Sequence, residues 1–380
     1  MTQNATICVG TLGQGIWRSS DGGDTWLRVR HGLYSESAVR ALAVHPSDAR
    51  IMYCGADSGV YRSEDSGEHW ERLDSPMNEI PIWALAIDPV DPNIIFAGTR
   101  PAALFRSTDG GQHWDKLSVQ IAEECPNVGI PRVTALVVDP VDHQHIWAGL
   151  EVDGVRHSKD GGKTWEVVTG GVTDPDIHNL AITVGPPKTL LTITPREIFS
   201  STDNGATWEP VQVRSQVSIP YCRGVLVKAD DPQVIYLGNG ENAFGALGAV
   251  HRSRDRGQTW ETLPLPLAPN GTIWNLATHA ADPDFLLASS VNGEVFCSTD
   301  AGDSWSKFAR EIWRGARPHL GAELALGHSA RGSTPRLHPR QRSFGLMQPP
   351  YAQCAAFLDP IGAIPGTKRI SERQELEIVL

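Results

Sequence analysis

The sequence predicts an all-β fold, a seven-bladed β-propeller of four-stranded antiparallel blades with the first blade closed by a C-terminal strand. Three observations predict it: an octapeptide present seven times, a near-constant distance between its copies, and an apolar strand pattern repeated between them. The octapeptide reads Ser-x-Asp-x-Gly-x-(Thr/His/Ser)-Trp. Its copies open at Ser19, Ser63, Ser107, Ser158, Ser201, Ser253 and Ser298 and end at Trp26, Trp70, Trp114, Trp165, Trp208, Trp260 and Trp305. Successive tryptophans lie 44, 44, 51, 43, 52 and 45 residues apart, about the length of one blade.

Each copy has the chemistry of a hairpin turn. Its aspartate can accept hydrogen bonds from backbone N–H groups just ahead, its glycine supplies a backbone conformation closed to most residues, and its tryptophan buries a large ring. A motif repeated identically in every blade cannot converge on one site, so these residues read as structural. Between copies run short apolar segments such as Arg40–Val44, Trp83–Ile87, Thr134–Val138, His178–Ile182, Arg223–Val227 and Trp274–Thr278, apolar on both faces as expected for inner strands sandwiched between blades. The chain opens on what reads as a second strand, Thr6–Gly10, so a closed ring needs an inner strand from the other end. Ala322–His328 echoes Arg40–Pro46 and fits the register.

This defines a propeller over residues 1–328 and, over 329–380, a basic Pro/Arg-rich tail that reads either as disordered or as a frame-shifted extension. Composition agrees with many strands and turns: 380 residues hold 37 Gly, 27 Pro and 12 Trp, with 20% charged residues. The start has no basic region followed by an apolar run, and no apolar stretch approaches a membrane span, so a cytoplasmic monomer with no membrane partner is expected. The six cysteines form no C-x-x-C pair, the histidines no metal-ligand spacing, and neither metal nor cofactor is expected. Residues 1–305 hold 22 basic and 38 acidic side chains, a charge of −16, which excludes a nucleic-acid surface.

The octapeptide resembles the Asp box, or BNR repeat, of sialidases, the sortilin luminal propeller, tandem-propeller xyloglucanases and photosystem II assembly-factor propellers. The resemblance covers residues 7–305 and implies that the boxes join the two outer strands on the face opposite the ligand site. It does not imply one activity. Sialidases grip a carboxylate with three arginines and use a Tyr/Glu nucleophile pair and an Arg-Ile-Pro motif. Here the nearest string is Ile130-Pro131-Arg132, reversed, and Tyr221 with Glu241 is the one plausible pair. Sialidase activity is therefore not expected.

The loops entering the inner strands, with those joining second to third strands, should gather at the channel mouth. The first group carries Arg40, Trp83, Arg132, His178, Tyr221, Arg223 and Trp274. The second carries Gln14, Asp57, Arg100, Glu151, Asp153, Arg196, Glu197, Asn239, Glu241, Asn242, Asn292 and Glu294. Arginine forks suit carboxylate or phosphate and the two indoles suit a sugar or ring. The ligand-binding candidates are thus Arg40, Trp83, Arg100, Arg132, His178, Arg196, Arg223 and Trp274. A binding or assembly module for an anionic small molecule, carbohydrate or protein segment is the first reading. The alternative is a glycoside hydrolase-like enzyme using carboxylates among Asp57, Glu151, Asp153 and Glu241, with Tyr221. Against the ligand stands the prospect that the arginines pair with those carboxylates and stitch the blades.

Overall fold

In the computed structural model, residues 5–126, 128–243, 245–309, 353–355 and 376–379 are described. They form seven sheets, antiparallel throughout except for one parallel pair in the sheet that contains the chain's first strand. A representative blade orders Val39–Val44, Met52–Ala56, Gly59–Ser63 and Glu71–Arg72 from the channel outward. The other inner strands are Ile82–Ile87, Val133–Val138, Asn179–Thr183, Tyr221–Val227 and Ile273–His279, each within two residues of its sequence-predicted start. The remaining sheet is built on Ala5–Gly10, Ile16–Ser19 and Leu27–Arg28. Beside Ala5–Gly10 run Gln353–Ala355, antiparallel to Cys8–Gly10, and Leu376–Val379, parallel to Ala5–Cys8. The strand expected at residues 322–328 lies outside the described residues, as do the boundary at 328/329 and most of the basic stretch beyond it.

The blades approach closely because five of the second strands carry a glycine at the same register. A Cβ on Gly149 would come within 2.6 Å of the Ile177 Cγ2 of the next blade, and one on Gly55 within 2.6 Å of the Ile82 Cγ2. Gly10, Gly98 and Gly238 stand likewise against Val39, Val133 and Ile273. A β-branched side chain therefore fills the notch its neighbour's missing side chain leaves, and the apolar clusters lie in these seams. One gathers Tyr53, Val60, Ile82, Ile95, Phe105 and Trp114 from adjacent blades.

Each octapeptide closes the hairpin between a third and a fourth strand. In the copy at Ser107, the Ser107 hydroxyl donates to Asp109 Oδ1 (2.9 Å) and accepts from the Gly111 N–H (2.8 Å). The His113 N–H donates to Asp109 Oδ1 (2.9 Å), and the Trp114 indole donates to the Gly111 carbonyl (3.0 Å). Gly111 and the residue before it both have positive φ, at 90° and 70°. The His113 backbone and side-chain bonds hold the Asp109 carboxyl down at about 2, as Thr164 and Thr207 do for Asp160 and Asp203. Third-strand arginines tether three of the blades to the next box: Arg18, Arg106 and Arg252 donate to the carbonyls of Ser66, Gly161 and Ala301. Because every inner strand begins at one face and every third strand ends at the other, the boxes lie together, opposite the mouth.

Candidate functional site

The mouth is built where the inner strands begin. A cavity of about 240 Å³ opens there, lined among others by Arg40, Ala84, Thr134, His178, Arg223 and Trp274, one from each of six blades. The first residues of six inner strands thus converge, as their common register requires.

The indoles are not open plates. Arg40 lies over the Trp83 ring at 4.9 Å and Arg132 over the same ring at 4.0 Å, while Arg223 lies over Trp274 at 4.0 Å. Each stack joins neighbouring blades, since each arginine and its tryptophan enter adjacent inner strands. Trp83 and Trp274 are buried, as are Arg132, His178 and Arg223. Guanidinium over indole is favourable when desolvated, and here it also fixes where the guanidinium edges point. His178 extends the ring: its Nδ1 faces the Cys222 carbonyl at 2.8 Å, Arg223 Nη1 donates to the His178 carbonyl at 3.2 Å, and Tyr221 packs edge-on against its imidazole.

Three carboxylates share this space. Glu151, buried, forms an ion pair with Arg132. Asp176 faces His178 Nε2 at 3.5 Å, and Asp57 stands exposed near Arg40. Burial pushes the Glu151 carboxyl above its ordinary value; Arg132 pulls it back and the Asp176 charge adds to the rise. At Asp176 burial works upward too, but the His178 hydrogen bond and charge, with Arg223 and Arg132, outweigh it and leave the carboxyl lowered. Burial lowers Arg40; Asp57 opposes this and Arg100 adds to it. Arg100, on the loop between a second and third strand, therefore belongs to the same cluster. Arg40 Nε, Trp83 Nε1, Glu151 Oε2 and Asp176 Oδ1 are buried polar atoms with no hydrogen-bond partner among the described residues.

Asp176 was not singled out by sequence reasoning, which at this strand entrance took His178 alone. Its signal was proximity: it sits two residues before His178 in Asp174-Pro175-Asp176. Other predicted residues have local duties. Asp153 receives the Arg156 guanidinium and the Ala122 N–H. Glu197 accepts from the Ile198 and Val213 N–H groups, and Arg196 is exposed. Glu241 accepts from the Ala246 N–H. Glu294 binds Lys307 and the Asn270 N–H, Asn239 bridges the Ile219 carbonyl and His251, and Asn292 donates to the Asn270 carbonyl. The Gln14 and Asn242 main-chain carbonyls accept from Arg28 and Thr272.

The two longest repeats place their extra residues on this same face. Residues 117–132 make the longest connection from an outer strand to the next inner strand, and residues 241–247 the longest turn between a second and third strand. Insertions in a repeat fold map to loops on one face, often the binding face. Among the described residues no group of three His, Cys, Asp or Glu could hold a metal, and no helix is long and apolar enough to cross a membrane.

The fold is a seven-bladed β-propeller, and comparison with known proteins finds other propellers. The Sortilin-Vps10 family (sortilin, neurotensin receptor 3) matches residues 14–127. A xyloglucanase of Paenibacillus sp is 30% identical over 213 residues, which is 47% of this chain but 20% of that protein, so the chain spans about a fifth of its length. Among solved structures, an ancestral GH74 enzyme superposes with a TM-score of 0.56 at 19% identity, covering 74% of this chain and 37% of the other. YCF48 bound to D1 peptide superposes at 0.50 with 16% identity, covering 71% and 82%. These likenesses fit the Asp-box propeller superfamily.

Proposed function

We propose that the protein is a binding module whose channel mouth takes a carboxylate-bearing ligand, foremost an acidic segment of another protein. One observation carries the reading. Arg40, Arg100, Arg132 and Arg223 gather at one mouth of a body whose first 305 residues sum to −16, and burial together with the Arg100 charge disfavours the charge on Arg40. An arriving anion relieves that repulsion and meets guanidinium edges already oriented by indole rings. The likeness to YCF48 bound to D1 peptide supports a peptide as occupant of such a fold. The test is thermal shift of the full chain against acidic peptides, acidic sugars, simple carboxylates and phosphates, with neutral counterparts. Acidic compounds should raise the Tm in a salt-dependent manner, and Arg40→Gln should abolish the rise. Stabilisation by neutral compounds alone refutes the reading.

A second reading, a glycoside hydrolase-like enzyme, draws on the likeness to xyloglucanases and on one local fact: Glu151 is raised while Asp176, which influences it, is lowered. Neighbouring carboxyls with protonation pushed apart are the arrangement an acid and a base require. Release of reducing sugar from xyloglucan, lost in Glu151→Gln, would establish it; no release at any pH from 4 to 8 would remove it.

A further inference from the structure

Beside the mouth lies a second cleft, of about 400 Å³, lined by Pro101, Ala102, Ile121, Ala122, Ile130 and Pro131 with Glu123 and Glu124. It is made by the long 117–132 connection, whose tip closes on itself through the Cys125 and Gly129 backbone groups. The connection is held in place rather than loose. The Ala122 N–H donates to Asp153, Arg156 donates to the Gln120 carbonyl at 2.7 Å, and the Ala102 N–H donates to the Pro131 carbonyl at 3.0 Å. Ile130 is nonetheless 47% exposed, an apolar side chain presented on an anchored scaffold. Two lining residues, Pro101 and Pro131, are the chain neighbours of the mouth residues Arg100 and Arg132, so the cleft adjoins the mouth.

We propose that this cleft is the specificity subsite of the mouth: it takes an aliphatic side chain of the same extended protein segment whose carboxylate lies among the arginines, and Glu123 and Glu124 select a basic residue next to it. The inference rests on the binding-module reading and names the chemistry of its partner. The charge order argues for it. A surface running from arginines through prolines and isoleucines to two exposed glutamates complements a segment that carries an acid, an aliphatic residue and a base, and rejects one whose charges are all acidic. A sugar chain matches neither the apolar lining nor the second charge.

Fluorescence anisotropy with the full chain tests it, using labelled hexapeptides that carry Asp, Leu and Lys, the same peptide with Leu replaced by Ser, and the same peptide with Lys replaced by Glu. The Asp/Leu/Lys peptide should bind best, and loss of Leu should weaken it about tenfold. The double variant Glu123→Lys, Glu124→Lys should reverse the preference between the Lys and Glu peptides, and Ile130→Ser should lower affinity only for peptides containing Leu. The three changes at the cleft, at Glu123, Glu124 and Ile130, are all at exposed side chains, so reversal of preference, rather than loss, is the readout. If Arg40→Gln abolishes binding while the Leu and Lys replacements and the charge reversal change nothing, the cleft proposal is overturned and the mouth reading stands. If binding is indifferent to Arg40→Gln, the mouth reading falls. Binding of acidic oligosaccharide but of no peptide overturns the protein-segment occupant.

Discussion

Replacing Gly149 by Ala puts a methyl group where the seam between two blades has no room. The new Cβ would lie 2.6 Å from Ile177 Cγ2, 3.4 Å from Ile177 Cβ and 3.4 Å from Thr134 Oγ1. Carbon atoms rest about 3.5 to 4.0 Å apart, so one contact is short by about 1 Å and the other two are merely tight. Ile177 is fully buried and its N–H donates to the Leu150 carbonyl, so its backbone cannot retreat without loss. Overpacking of this kind costs about 1 to 3 kcal/mol, of which the stiffer unfolded chain returns about 0.4 to 1. A net loss of about 1 to 2 kcal/mol is expected. Ile177→Ala alone costs about 2 to 5 kcal/mol, but it deletes the one atom in conflict, so the double variant should be about 1 to 2 kcal/mol more stable than the sum of the singles predicts. Ile177→Val keeps Cγ2 and should give no such rescue. Urea unfolding of the wild type and these variants reads all the terms. Additivity of Gly149→Ala and Ile177→Ala within about 0.5 kcal/mol refutes the notch as the determinant of blade spacing.

Ala301 sits at φ 55°, in a turn position that Gly22, Gly110 and Gly161 fill in other copies, so Ala301→Gly should gain about 0.5 kcal/mol in urea unfolding. Burial holds His157, His251 and His279 down at about 4, and the neutral His251 is bonded by both nitrogens, to Asn239 and Thr262. Their folded values lie below the ordinary 6.5, so the stability they contribute is whole above that pH and is lost as pH falls toward 4. Unfolding free energy should therefore decline over this window with the slope of about three protons, and His251→Gln should remove one of them. Arg132→Ala strands the buried Glu151 charge and should cost about 3 kcal/mol at pH 7; adding Glu151→Gln should recover most of it, and no recovery would mean that the pair is not what Arg132 serves.

The blades were legible in the sequence because their determinants are local. The octapeptide carries the side-chain donors and acceptors that fold its own turn, and the apolar runs place Arg40, Trp83 and Arg223 at strand entrances by register alone. What could not be read was which side chains spend themselves on one another across blades. Nothing in the chain order shows that Arg40 and Arg132 cover the two sides of one indole, or that Arg132 takes Glu151 while Arg223 reaches the His178 carbonyl. Asp153 and Glu197 read as mouth-loop acids open to a ligand or an arginine, yet backbone amides claim both, because loop conformation decides where amides point. The cleft at 117–132 left a trace only as a repeat longer than its neighbours.

The octapeptide turn satisfies the side chains of its serine, aspartate and tryptophan from within itself. A blade therefore carries its own finishing stitch, and it meets the next blade through the same glycine-and-branched-residue joint at most seams. Such a unit can be copied in tandem and still be complete at the moment of copying. The channel-facing loops are under no such obligation, so they are free to diverge one by one, and a ring of near-identical parts can acquire a single asymmetric mouth.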